Sequence, residues 1–250
     1  MRVAVAGKGG AGKTTISATL ARTAARSGDV VLAIDADSNP NLAVALGCDP
    51  DAAPPTLPLD LVVRRLSGPE LSISIEDFLG DHTVRGPDGV HLVAMGAPGH
   101  VDEGCLCSAH AGVSALLATA GQLDLTMVDL EASPEHLSRG TARHVEVLLL
   151  VAEPYYRSIE TVRRMAELAA ELPIPTVGVV ANKVRDADDR DAIEEFCRRW
   201  QLPLLGEIPY SDGVVTGDRD RIPLADHSGE PAAEAIATLL DGLRGHIVEA

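Results

Sequence analysis

Gly7-Lys8-Gly9-Gly10-Ala11-Gly12-Lys13-Thr14-Thr15 is the stretch on which the reading of this chain turns. It satisfies G-x-x-x-x-G-K-[ST], and it follows a short apolar run, residues 2–6, that reads as a strand. Residues 14–27 after it read as a helix. Glycines at this spacing let the backbone turn tightly and aim N–H groups at phosphate, at the positive end of the following helix. The expected ligand is ATP or ADP with Mg²⁺, held by Gly9, Gly10, Ala11, Gly12, Lys13, Thr14 and Thr15. Lys13 is expected to reach the β- and γ-phosphates, and the Thr14 hydroxyl to ligate Mg²⁺.

Outward from this loop, short apolar runs alternate with amphipathic stretches. Strands are predicted at residues 30–34, 89–95, 124–128, 145–152, 175–181 and 203–208. Helices are predicted at 109–120, 155–172, 187–200 and 231–244, the last stopped by Gly245. Alternation of this kind predicts an α/β fold: a single domain over residues 1–250, doubly wound, with a mostly parallel sheet and helices on both faces. Aromatic residues make up only 2% of the chain, so Val, Leu, Ile and Ala must build the core, which suits buried parallel strands. The proline-rich residues 49–58 read as a surface connection.

The formal net charge is −16. A field of that sign repels nucleic-acid phosphates and anionic headgroups, so neither nucleic acid nor membrane is expected as a partner. No apolar run approaches ~20 residues and no secretory signal is visible, which makes a cytoplasmic location the expectation.

Further ligand-directed residues follow the predicted strands. Asp35-Ala36-Asp37-Ser38-Asn39-Pro40-Asn41-Leu42 puts two carboxylates at the C-terminal end of a parallel strand, where such sheets bind ligands. Asp35 can hold the Mg²⁺ water shell and Asp37 can orient the attacking water; both could instead cap the next helix. Thr126-Met127-Val128-Asp129-Leu130-Glu131 is an apolar strand whose Asp129 suits Mg²⁺. The chain has only three lysines, Lys8, Lys13 and Lys183; two lie in the phosphate loop and the third follows Asn182 at a strand end. A chain that otherwise uses Arg keeps Lys where a compact point charge is needed.

The lysine directly after the first glycine resembles the deviant Walker A family, which includes the MinD and ParA partition ATPases and the nitrogenase iron protein. The resemblance implies a nucleotide-governed homodimer in which Lys8 reaches the partner's ATP. It also implies a catalytic role for Asp37 alongside Lys8 and Lys13, and an adenine site at Asn182, Pro209 and Tyr210.

Cys105-Leu106-Cys107 sets the chain apart from generic members. Cysteines two apart do not easily bridge to each other, but both can bite one soft metal. Two thiolates leave a tetrahedral site half filled, and a twofold dimer completes it by symmetry, with Ni²⁺ or Zn²⁺ on the axis. A site within one subunit using His100 or His110, or two small buried thiols and no metal, are the alternatives. Cys48 and Cys197 look isolated. With the run Asp129-Leu130-Glu131-Ala132-Ser133-Pro134-Glu135-His136-Leu137-Ser138-Arg139-Gly140-Thr141 and Glu153-Pro154-Tyr155-Tyr156-Arg157-Ser158, the chain resembles the CooC-type accessory ATPases. That group supports nickel insertion into carbon monoxide dehydrogenase. The resemblance implies an ATP-hydrolysing dimeric metallochaperone whose client is apo carbon monoxide dehydrogenase or a related metalloenzyme.

Two departures stand out. Ala11 replaces a usual valine, at a position expected to contribute mainly backbone. Ser133 stands where a glycine would let the segment after Asp129 approach the γ-phosphate, so slower hydrolysis is expected. Two other functions compete. A spatial organiser of the MinD or ParA type would need a basic surface or a basic amphipathic tail, and residues 230–250 offer little of either. An iron–sulfur reductase component would place a cysteine in residues 129–140, which contain none.

Overall fold

The computed structural model describes residues 1–49, 53–66, 68–96 and 107–248. In chain order the elements are β1 (Arg2–Gly7), α1 (Lys13–Arg26), β2 (Val31–Ala36), α2 (Leu42–Leu46), β3 (Val62–Arg65), β4 (Gly68–Leu71), α3 (Ile75–Asp81), β5 (Val84–Arg85), β6 (His91–Ala94), α4 (Cys107–Thr119), β7 (Leu125–Leu130), α5 (Glu135–Ser138), β8 (Val147–Ala152), α6 (Tyr156–Ala169), β9 (Thr176–Val184), α7 (Ala187–Trp200), β10 (Leu204–Pro209), α8 (Asp212–Asp220) and α9 (Pro231–Val248). One eight-stranded sheet runs β10-β9-β8-β1-β7-β2-β6-β5. Its ladders are parallel except that β5 pairs antiparallel to β6. A separate β3–β4 hairpin stands apart from it.

β1 is the hub. Its side chains alternate between the two faces, as strand geometry requires. Val3 and Val5 join Ile16, Leu20, Leu149, Ile236 and Leu240 on the face covered by α1 and α9. Ala4 and Ala6 join Leu148, Leu150, Val162 and Leu116 on the face covered by α4 and α6. Apolar burial on both sides, at about 1.5–3 kcal/mol for each fully buried Val or Leu, fixes the strand where its end can carry a ligand loop. β1 lies between β7 and β8, and the chain leaves it toward opposite halves of the sheet. That switch point is where doubly wound sheets open a crevice at the strands' carboxyl ends.

The long elements lie close to their predicted places, and α7 spans the predicted 187–200. α9 runs on to Val248 through Gly245, which was expected to stop it. One mid-helix glycine costs only ~1 kcal/mol, and the packed Ile236, Leu239, Leu240 and Leu243 hold the helix regardless. β9 continues three residues past its predicted end. The connection at 49–58 is not wholly superficial. Leu57 is buried, its N–H donates to the Ala94 carbonyl at 2.8 Å, and Thr56 bridges to Ala94. Among the described residues no helix is long and apolar enough to cross a membrane.

Candidate nucleotide site and cysteine-bearing helix

The phosphate loop begins where β1 ends. Gly7 has φ +150°, and a Cβ there would stand 2.6 Å from the Val151 carbonyl oxygen of β8. Only a glycine lets the chain leave the sheet so close to its neighbour. Gly10 and Gly12 are left-handed, at φ +81° and +96°. No side chain caps the start of α1, so its first N–H groups remain for an anion. Ala11 is fully buried in the core under α1, and its carbonyl accepts a 2.6 Å hydrogen bond from Asn182 Nδ2. The alanine therefore packs as well as supplying backbone.

Acidic groups converge behind the loop. Asp35 and Asp129 are register partners on adjacent strands β2 and β7, and both are buried. Burial pushes the Asp129 carboxyl up to about 7; the Thr14 hydroxyl beside it and Lys13 oppose that rise, while Asp35 adds to it. Ser17 Oγ donates to Asp129 at 3.3 Å. Lys13 is itself buried, which lowers its ammonium pKa against the pull of Asp129, Asp37 and Glu131. A carboxylate and a hydroxyl side by side suit Mg²⁺, whose charge offsets the desolvation that burial imposes on Asp129.

Asp35 turns inward. Its Oδ1 accepts the Asp37 N–H at 3.2 Å and its Oδ2 the Leu42 N–H at 2.8 Å, so it braces the loop between β2 and α2. Asp37 is half-buried and accepts the Asn39 N–H at 2.8 Å. Glu131, which sequence reasoning passed over, also belongs here. It faces Asp37 and Lys13 and accepts a hydrogen bond from the Ser38 side chain; burial, then Asp37, raises its pKa. The only sequence signal for it was an acid two residues past Asp129.

Lys183 departs from ordinary backbone, with φ +61°. Its Nζ donates to the Gly10 carbonyl at 2.6 Å and to Glu153 Oε1 at 2.8 Å, which ties β9 and β8 to the loop. Asn182, Pro209 and Tyr210 line one cavity with Gly12, Thr15 and Ile16. The Arg185 guanidinium covers the Tyr210 ring, 4.6 Å from its centroid. Lys8 Nζ donates to the neighbouring Gly9 carbonyl at 3.4 Å. Ser133 keeps a negative φ, so the missing glycine is not replaced by a strained residue.

Cys107 opens α4 and is exposed; Cys105 and His100 lie outside the described residues. Cys107 is disulfide-bonded, while Cys48 and Cys197 are free thiols. The Cys107 sulfur also accepts a hydrogen bond from Arg139 Nη1 at 3.0 Å. Beneath it the buried rings of His110 and His136 meet edge to face, with centroids 4.4 Å apart. His110 Nδ1 shares a 3.0 Å hydrogen bond with Thr141 Oγ1. His110 Nε2 and both ring nitrogens of His136 make none, although the Ala36 carbonyl lies near His136. Among the described residues no three His, Cys, Asp or Glu side chains form a metal-sized cluster, so any site at Cys107 must be completed from elsewhere.

Burial, then His110, drives the His136 pKa down to about 4. The unfolded chain, with an ordinary value near 6.5, binds more protons between those two values. Stability is therefore lost as pH falls from about 6.5 toward 4. Between pH 7.5 and pH 5 the loss from this residue is expected to be about 2 kcal/mol. Urea unfolding of the protein and of His136→Phe at both pH values checks it: the variant should lose less stability on acidification by about that amount.

Residues 3–224 match the family described as the CobQ/CobB/MinD/ParA nucleotide binding domain. The carbon monoxide dehydrogenase accessory protein CooC of Rhodospirillum rubrum is 34% identical over 245 residues, covering 91% of this chain and 90% of that protein. An uncharacterised ATP-binding protein of Methanocaldococcus jannaschii is 31% identical, covering 87% of this chain and 88% of its own. Among solved structures, the cell division ATPase MinD of Pyrococcus furiosus superposes with a TM-score of 0.72 at 24% identity, with 98% of each chain covered. A ParA family ATPase of Chlorobium tepidum gives 0.75 at 19%, with 96% of this chain and 98% of that one covered. At those identities the two structures speak for the fold alone.

Proposed function

The chain belongs to the CobQ/CobB/MinD/ParA nucleotide-binding family and is an ATPase, and from that premise we propose that it is a dimeric metallochaperone delivering nickel to carbon monoxide dehydrogenase or a related metalloenzyme in the cytoplasm. The observation that carries the proposal is the position of Cys107: its sulfur abuts the segment that follows Asp129, the part of the chain next to the phosphate loop. Residues 1–250 act as one ATPase domain in this reading.

In the proposed cycle the loop amides of Gly9, Gly10, Ala11 and Gly12, with Thr15, hold the phosphates. Lys13 bridges the β- and γ-phosphates. Thr14 and Asp129, with Asp35 in support, would hold Mg²⁺, which would offset the charge of the triphosphate. Asp37 orients the water that attacks the γ-phosphorus, and the bond to the β–γ bridging oxygen breaks to give ADP and phosphate. Asn182, Pro209 and Tyr210 flank the adenine. Lys8 crosses to the nucleotide of a second copy. Cys105 and Cys107 from each copy hold one Ni²⁺ or Zn²⁺ between them. Metal capture uses the reduced thiolates, formed from the Cys107 disulfide by two electrons from a thiol reductant.

The test is metal content and mass of the reduced protein, measured anaerobically with ADP, with ATP and without nucleotide. About one metal per two chains is expected, lost in a Cys105→Ser/Cys107→Ser double variant. A nucleotide-dependent dimer with no metal in either protein would keep the ATPase and sink the metallochaperone.

A further inference from the structure

We infer that Arg139 is a positioning residue that transmits the nucleotide state to Cys107, so that the exposure of this sulfur follows the ATP–ADP cycle through one guanidinium. The inference deepens the metallochaperone reading, and its test is built to fail separately from that reading.

Three observations converge on it. The first is how the guanidinium is shared. Glu135 and Arg139 are four residues apart, and Arg139 Nε donates to Glu135 Oε1 at 2.7 Å while Nη2 donates to the same oxygen. That edge of the planar fork is spoken for, and the other edge presents Nη1 to the Cys107 sulfur at 3.0 Å. Arg suits this double duty because its donors are fixed in one plane; Lys, a single rotatable point charge, does not.

The second is where the Glu135–Arg139 unit sits. It follows Asp129, Glu131 and Ala132 with no intervening element. Ala132 Cβ lies 3.6 Å from where a Cβ on Gly9 of the phosphate loop would stand, and Glu131 is hydrogen-bonded by Ser38 from the loop after β2. A γ-phosphate that draws in either loop therefore pulls directly on α5.

The third is how α5 rests on the cysteine-bearing helix. α4 is held by a deep apolar face, with Val113, Leu116 and Leu117 fully buried. α5 is one short turn, held by the buried Leu137, that meets α4 through the His136–His110 ring contact, where His110 Nε2 has no hydrogen-bond partner. A buried polar atom without a partner makes that contact easier to leave than the apolar face of α4. When α5 shifts, Glu135 and Arg139 move as one unit, α4 stays, and the bond to the sulfur is broken or remade.

The experiment follows alkylation of Cys107 by iodoacetamide in reduced Cys105→Ser protein, read by peptide mass, with Mg-ADP and with Mg²⁺ and a non-hydrolysable ATP analogue. Cys48 and Cys197 in the same digests report on folding. With Arg139 present, the two rates are expected to differ by at least ~5-fold, the lower range of ordinary site-to-site coupling. Arg139→Gln is expected to shrink the difference below ~2-fold, with Arg139→Lys in between. An undiminished ratio in Arg139→Gln, or equal rates in the parent, overturns the inference. Metal titration of protein retaining Cys105 is read separately. No metal with the ratio intact removes the nickel reading and leaves the coupling standing. Metal bound with no ratio removes the coupling alone.

Discussion

Gly7→Ala protein is expected to bind no nucleotide and to lose about 3 kcal/mol of stability or more. Two independent effects add at this residue. Its φ of +150° belongs to a region that L side chains rarely adopt. Its Cβ would stand 2.6 Å from the Val151 carbonyl oxygen, and that atom is backbone in a parallel ladder where Gly7 and Val151 are register partners. A flexible side chain could swing aside; β8 cannot without giving up its pairing with β1. The damage falls where the loop leaves the sheet, so the amides beyond it lose their aim. Gly28→Ala is the matched control: its φ is +99°, but nothing lies within 4 Å of the added methyl, so only the backbone effect of ~1 kcal/mol applies. Urea midpoints and equilibrium binding of a fluorescent ATP analogue separate the two. A Gly7→Ala protein within ~1 kcal/mol of the parent, with binding intact, would show that the close approach to β8 is unimportant.

Lys13→Gln and Asp37→Asn are each expected to reduce ATP turnover by about 10²–10³-fold, but with different companions. Lys13 is a buried cation set among Asp129, Asp37 and Glu131. Removing it leaves these acids facing one another, pushes the Asp129 proton on more firmly and weakens Mg²⁺–nucleotide binding together with hydrolysis. Asp37 is half-buried at the loop's edge, with its N–H held by Asp35 and its carboxylate accepting the Asn39 N–H. Its amide variant should therefore bind ATP nearly as well as the parent and accumulate the ATP-bound form. Steady-state phosphate release, set beside ATP binding by filter or fluorescence titration, distinguishes the pair. Equal loss of binding in both would place Asp37 in the binding site instead of beside the attacking water.

Much of this was legible in the residues because local chemistry and tertiary demand agree. The phosphate loop is read from its own spacing, and α7 from the helix pattern at 187–200, whose start the Asp186 side chain caps by accepting the Asp189 N–H. Where the reading fell short, the deciding contact lies far along the chain. Asn182 carries an adenine role by resemblance, while its amide also grips the phosphate loop from 171 residues away. The His110–His136 contact and the Arg139 bond to Cys107 join residues 26 and 32 apart, and no periodicity announces such a meeting. Gly245 failed as a stop because packing outweighs one weak propensity.

The strand order has a bearing on how the molecule comes into being. β1 is made first, yet its two neighbours are β7 at residues 125–130 and β8 at 147–152. A ribosome must therefore release the chain through residue 152 before β1 can be sandwiched, and until then its apolar run and the glycine loop stay unpaired. The phosphate loop lies within residues 7–15, yet the site it serves matures only after β8 has been made. Nascent chains arrested short of β8 should fail to retain nucleotide however intact their phosphate loop, and should lean on holding chaperones while they wait.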